Sequence, residues 1–464
     1  MLATTLAALH ADPPVGLSDA IEVVDGFDDV LAQGFARVGE PEAATLTAFA
    51  DAFAGTPLAE AVAEAAGKAG TGSGTAEHLA VLAGARSALL GAAHDALLGR
   101  LDAALARDRT AAAQDDPVEA SGLGAAAAAR AWLHEVALVG WAGVDHELLT
   151  AVDTPVEAAL AVPQWRRLAV LLDGFAAELR ACVPVSTMPQ VPVRRWADLW
   201  ARGMLLTQGA VPTRTTTRVS GRLLPLGVEV HEHDTAVQVL LHAILEPADG
   251  TAPRVVRIAV GAAKTDTVVG PAVWKLFGAH PVLLSVLAQR RCVTVTDLPE
   301  QGGDVSWIDD RVEVGEPADP FATARVLLAA ATTSAAAPLD RHPAAIAEPV
   351  LLEGYTVGRD DDGVHLDLGG QRIGVTVDRL PACGPLTLDL VTASTACLGL
   401  ARWDDGGWSV QPLAVRATVR KRAVEAHNGD WADGITDPKV AKAEAKAGDV
   451  VAVLRARAGR LLRR

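Results

Sequence analysis

The chain has 464 residues and a formal net charge of −16; half its residues are apolar and only 4% are aromatic. That length exceeds what one hydrophobic core organises, so several domains are expected. The apolar residues are interrupted by charges, and no run reaches the roughly eighteen residues of a membrane span, which argues against a membrane protein.

The charge is unevenly distributed. Residues 1–185 hold 10 Lys and Arg against 25 Asp and Glu, net −15; residues 186–415 hold 19 against 26; residues 416–464 hold 12 against 6, net +6. An acidic body argues against nucleic acid as a partner over most of the surface, because affinity for phosphate backbones comes largely from cations. The N-terminal "MLATTLAALHADPPVG" has no basic leader and reaches Asp12, Pro13 and Pro14 before an apolar segment lengthens, so a cytoplasmic location is expected. Cys182, Cys292, Cys383 and Cys397 are too widely spread for a CxxC redox pair or a zinc knuckle, and reduced thiols are expected.

From Leu17 to about Ala181 apolar residues recur at three- and four-residue spacing, which predicts a helical domain over 1–182. Its breaks include "GTPLAE" (Gly55 to Glu60), "GKAGTGSGT" (Gly67 to Thr75), "AQDDPVEASG" (Ala113 to Gly122) and "DTPVEAAL" (Asp153 to Leu160). Thr56 before Pro57, and Thr154 before Pro155 with Glu157 following, carry helix-start signals. The glycine stretch has the look of a phosphate loop, but Lys68 precedes three of its four glycines and both flanks read as helix. The spacing of Gly70, Gly72 and Gly74 also fails the dinucleotide fingerprint. A helix connector with Thr75 capping the next helix is expected.

Three prolines in "ACVPVSTMPQVPV" predict a boundary, with a mixed α+β domain over 194–345. It opens on "RRWADLWARGMLL", where Trp196 and Trp200 share one face and Asp198 is placed to pair with Arg202. Period-two segments follow: "TRTTTRVSGRLLPLGVEVHEH", "AVQVLLHAIL" and "RVVRIAV" predict strands, then a helix from Pro271, strands around "CVTVTDL" and "WIDDRVEV", and a helix around "DPFATARVLLAAATT". In "RIAVGAAKTDT" (Arg257 to Thr267), Lys264 and Thr265 imitate the end of a P-loop, yet Ile258 and Ala263 stand where glycine is required.

An antiparallel β meander or barrel is expected over 346–420, and a basic helical tail over 421–464. The acidic turn from Gly358 to Gly363 lacks the ligand spacing of an EF-hand and reads as a hairpin tip. The fold class is therefore α+β and multi-domain: an all-helical N-terminal half, a mixed region, a small β unit and a basic helical tail.

No catalytic, cofactor-binding or metal-ligating set is assigned, and no cofactor. The strongest metal candidate is "EVHEHD", because Glu229, His231 and His233 alternate along one strand face, with His242 able to join from a hairpin partner. Asp234 follows His233 directly, so neither HExxH nor HxHxDH is formed. His134-Glu135 and His146-Glu147 lie in helical sequence near Trp132 and Trp141, where adjacent side chains diverge by about 100°. GxSxG and SxxK serine signatures are absent.

The C-terminal cations Arg416, Arg420, Lys421, Arg422, Arg455, Arg457, Arg460, Arg463 and Arg464 suit an acidic surface of the same chain, a second copy, another protein or nucleic acid. The leading expectation is a non-catalytic protein-interaction or adaptor subunit of a bacterial-type assembly, with a protein partner or self-association. The alternatives are a metal-dependent hydrolase centred on His231 and His233, and nucleic-acid binding through residues 416–464.

Overall fold

The computed structural model describes residues 1–11, 13–109, 117–119, 123–208, 210–212, 216–333, 339, 344–361, 363–404 and 406–461. The fold is α+β, with helices gathered in the N-terminal half and two large sheets in the C-terminal half. The expected break from Ala113 to Gly122, and the cations Arg463 and Arg464, lie wholly or mostly outside the described residues.

The helical half comprises α1 (Ala3–His10), α2 (Leu17–Gln33), α3 (Glu40–Asp51), α4 (Ala59–Gly70), α5 (Ala76–Leu105), α6 (Leu123–Val139), α7 (His146–Ala151), α8 (Asp153–Leu160), α9 (Arg166–Cys182) and α10 (Val193–Leu206). Apolar residues three and four apart bury one face of each long helix, as Phe27, Val30 and Leu31 do on α2. The aromatics meet in one core: Phe27 stacks on Phe49 at 4.7 Å, and Trp141 meets Phe175 and Trp196 edge-on at 6.0 and 5.9 Å.

Gly67 and Lys68 belong to the last turn of α4 rather than to a loop, and the connector is 71–75. Thr75 caps α5 as its sequence suggests, accepting from the His78 amide while His78 Nδ1 accepts from the Thr75 amide at 3.1 Å. Thr154 makes no such cap, because α8 already begins at Asp153 and places Pro155 among its buried residues.

The segment from 194 does not open a mixed domain. It is α10, whose Trp196 and Trp200 are fully buried in the helical core and whose Asp198 pairs with Arg202 at 2.8 Å. Nor is the half purely helical, since β1 (Pro117–Glu119) pairs with β2 (Ala210–Pro212).

β3 (Thr217–Glu232), β4 (Ala236–Pro247), β5 (Arg254–Ala263), β6 (Arg291–Gln301), β7 (Asp304–Val305) and β8 (Val312–Pro317) form the second region, with a 3-10 segment at Gly270–Phe277 and α11 (Pro281–Gln289) between β5 and β6. β3 pairs with both β4 and β6, β4 with β5, and β6 with β7. β7 meets β5 through Arg257 and Asp304, which also form an ion pair at 2.7 Å, so the strands close into a small barrel.

After α12 (Pro320–Leu327) come β9 (Ile346–Glu353), β10 (Thr356–Asp360), β11 (Gly363–Leu368), β12 (Gln371–Val375), α13 (Leu388–Thr392), β13 (Ser394–Asp404), β14 (Gly407–Val419) and β15 (Arg422–His427). They make a separate seven-stranded sheet in the order β10-β11-β12-β14-β13-β9, with β15 also on β14. It is not wholly antiparallel, because β12 runs parallel to β14 at Gly374 and Val375. Residues 422–427 extend this sheet instead of starting the helical tail, which is α14 (Pro438–Ala447) and α15 (Val450–Leu461).

The units are layered. One face of the C-terminal sheet packs Leu352, Leu366 and Val410 against Leu6, Val24, Leu97 and Leu101 of the helical half. The other face meets the barrel through Leu398 and Ala414, with Phe321 and Ala324 of α12 wedged between the two sheets. Val440, Val451 and Leu454 of the tail pack on the barrel core.

Candidate functional site

The residues of the metal candidate lie where the barrel meets the C-terminal sheet, and a β-bulge puts them there. Before Pro225, odd-numbered residues of β3 such as Val219 and Leu223 face the barrel interior; after Gly227, even-numbered Val228 and Val230 do. The register shift at Leu226 reverses the alternation, so Gly227, Glu229 and His231 face outward toward the C-terminal sheet. A second register shift, at Leu413 on β14, faces the first. A Cβ on Gly227 would lie 2.7 Å from the Leu413 Cβ, so only glycine allows this approach. Asn428, fully buried, joins the two backbones by donating to the Val228 and Pro412 carbonyls at 3.1 and 3.2 Å.

The Glu229 carboxylate is the centre of the cluster. His242, opposite Gly227 on β4, bonds to Oε1 at 2.7 Å through Nε2, and His231 Nε2 lies 3.4 Å from Oε2. From the other sheet, Arg402 Nη1 approaches Oε2 at 3.4 Å and donates to Gln411 at 3.0 Å. Arg402 Nε pairs with Asp404 at 3.1 Å, and Asp404 with Arg379 at 3.2 Å. Glu229, His242 and Gln411 are each 2% exposed, whereas His231 is half exposed.

Burial alone would raise the Glu229 carboxyl. The hydrogen bonds from His231 and His242, with their charges, outweigh it and hold the group well below the usual carboxylate range.

His242 therefore joins Glu229 and His231 as its hairpin pairing allowed, but His233 does not. The strand ends at Glu232, and the His233 amide closes the turn onto the Ala236 carbonyl. Arg402 stands 3.4 Å from the same carboxylate, and a guanidinium there opposes a cation. No group of three or more His, Cys, Asp or Glu among the described residues is arranged to hold a metal ion. Arg402 was legible in part, as one charge in the otherwise apolar run "CLGLARW". Gln411 and Asn428 gave no signal, since nothing in sequence marks which sheet faces which.

The other sequence candidates are dispersed. His134 bonds to the Gly74 carbonyl at 3.2 Å, and His146 opens α7 behind the Asp145 cap. Lys264, at the end of β5, pairs with Glu232 at 3.1 Å and donates to the Val268 carbonyl. Cys383 and Cys397 are buried and burial pushes their thiols up to about 12, which keeps these two protonated at neutral pH.

No family model, curated protein or solved structure matches the chain.

A second polar cluster also ties the barrel to the C-terminal sheet. Glu425 accepts from Arg416 at 2.7 Å, Arg290 at 2.6 Å and His427 at 2.9 Å, while Arg416 also pairs with Asp319 at 2.7 Å and lies over the Phe321 ring at 4.4 Å. Of the C-terminal cations, Arg416 is thus held within the chain, and Arg455 donates to the Lys275 carbonyl. No helix among the described residues is long and apolar enough to cross a membrane.

Proposed function

We propose that the chain is a non-catalytic protein-interaction subunit, an adaptor in a cytoplasmic assembly of bacterial type. The observation that carries this reading is the placement of the Glu229 cluster. Its groups come from β3, β4, β13 and β14 and bond one sheet to the other. A general base must reach a substrate proton within hydrogen-bond distance. The Glu229 carboxylate instead has both oxygens engaged by His242, His231 and Arg402 beneath the seam.

Several ion pairs of this kind join the units. Arg109 links Asp102 at the end of α5 to Glu348 of β9, at 2.7 and 3.1 Å, and Arg416 links Asp319 to β15. Such a body suits the holding of partners in fixed relation, and its segregated charge supplies recognition surfaces. Four unpaired cysteines, three of them buried, support a reducing compartment.

The test is cross-linking of the full chain in cells that make it, with mass spectrometry of the linked peptides and elemental analysis of the purified protein. Stoichiometric links to a protein, either a second copy or another chain, are expected. Recovery of an unlinked monomer, or of one equivalent of transition metal lost in H231A/H242A, would overturn the proposal.

A further inference from the structure

Two-residue hairpins give an internal comparison. The turn between β6 and β7 is Gly302-Gly303, with φ of 61° and 86°; that between β11 and β12 is Gly369-Gly370, with φ of 63° and 90°; and the β13–β14 turn contains Gly406 at φ 84°. Turns of this type require left-handed backbone, which glycine adopts without a Cβ clash. The β14–β15 turn is built from Arg420 and Lys421 instead, at φ 50° and 65°. Neither residue type favours that conformation, and two in succession compound the strain.

The side chains do not repay that strain within the chain. Arg420, Lys421 and Arg422 are all exposed, and their side chains make no ion pair or hydrogen bond among the described residues. Four residues earlier on the same hairpin, Arg416 is fully engaged by Asp319 and Glu425. Val419, opposite Arg422, is 36% exposed and gives the tip an apolar flank. Strain held at an exposed site without internal compensation points to a use for the side chains that cause it.

We propose that the Arg420-Lys421-Arg422 tip docks on the acidic helical half of a second copy of this chain. The inference rests on the protein-interaction reading and names one of its surfaces and the partner. Charge complementarity selects the occupant: residues 1–185 carry net −15, and Asp19, Glu22 and Asp29 of α2 are exposed. Two copies can make this contact reciprocally about a two-fold axis and close a dimer, or pass it head to tail into a ring or a chain.

Sedimentation velocity of the purified full chain, at about 25 mM and about 500 mM NaCl, tests this against two variants. R420N/K421G restores the favoured turn chemistry and removes two charges; R422E reverses a charge outside the strained positions and leaves the turn alone. Wild-type protein is expected to self-associate at low salt and dissociate at high salt. Both variants should associate about tenfold or more weakly, and R420N/K421G should also melt at a higher temperature.

Self-association unchanged in both variants, or a wild-type chain that stays monomeric at low salt, overturns the proposal. So does salt-sensitive binding of a single-stranded DNA oligonucleotide that both variants lose, which would assign the tip to phosphate backbones. A monomeric chain that still cross-links stoichiometrically to another protein would remove this inference and leave the adaptor reading in place.

Discussion

Two buried charge centres hold this molecule together in different ways. In the helical half, Arg86 on α5 and Asp28 on α2 form a two-pronged pair at 2.6 and 2.9 Å, both essentially without exposure, and Asp198 on α10 stands 3.7 Å away. All of these helices share one apolar core, so packing places them and the pair fixes the register of elements already in contact. At the seam, Glu229 and Arg402 belong to different sheets with different cores, and the contact is partly open through His231. There the polar groups bear a larger part in orienting two bodies, with a narrower apolar contact of Leu226, Ile244, Leu398 and Ala414 to assist them. A charge pair deep in one core acts on whether that core forms; a charge cluster at a seam acts on how two formed cores sit.

The largest effect is therefore expected from the first centre. Arg86→Met leaves the buried Asp28 carboxylate with only the more exposed Arg194, 3.5 Å away, and should destabilise the chain by about 3 kcal/mol. D28L/R86M removes both charges and should recover most of that loss, since well-packed apolar replacements of a buried pair are often neutral. Urea unfolding followed by the fluorescence of the helical-half tryptophans measures both variants. An R86M chain within about 1 kcal/mol of wild type would mean that the pair is reached by water and the contrast with the seam is lost.

The contrast also accounts for what sequence could and could not disclose. Helix-period spacing made the helical half legible, down to the indoles of Trp196 and Trp200 and the cap at Thr75, because those signals are local. Assigning α10 to a mixed domain went wrong because the prolines between α9 and α10 read as a boundary, while its partners α2 and α5 lie far back in the chain. For the candidate site, alternation correctly put Glu229 and His231 on one face. Which face it was depended on the bulge at Leu226, and a one-residue shift leaves no mark in the pattern. Arg402 and Gln411 arrive from a second sheet, and only the three-dimensional docking of the two sheets brings them to Glu229.

The seam centre should respond less to substitution and more to pH. The Glu229 carboxyl is held below its ordinary value of 4.5, so its contribution to stability is complete above that pH and is lost as pH falls toward the folded value. Glu229→Gln should flatten this acid limb. Arg402→Gln, which leaves both histidines in place, should cost about 2 kcal/mol near neutral pH and keep the limb. Because the substitution acts on docking, limited proteolysis at the seam should accelerate while the tryptophan core of the helical half unfolds at its usual urea concentration. Simultaneous loosening of both regions would show that seam and core unfold as one unit, and that the distinction drawn from their geometry has no energetic counterpart.

The smallest effect belongs to Glu425, a cluster of the same design placed nearer water. Its carboxyl is lowered to about 2, first by the hydrogen bond from His427 and then by Arg416, against the opposing effect of burial. A depressed carboxyl stabilises the fold above its unfolded value of 4.5 and stops doing so as pH falls to about 2. Water reaches this side chain, so screening limits its worth to about 1 kcal/mol or less. Glu425→Gln should therefore remove a shallow slope of stability between those two pH values, and 0.5 M NaCl should remove much of the same slope from the wild type. For Glu229, buried beneath the seam with only His231 reaching water, salt should remove less of the slope. The same carboxylate–histidine–arginine set thus gives a salt-sensitive term on the surface and a less salt-sensitive one in the seam, and the ratio of the two slopes at low and high salt measures how dry the seam is.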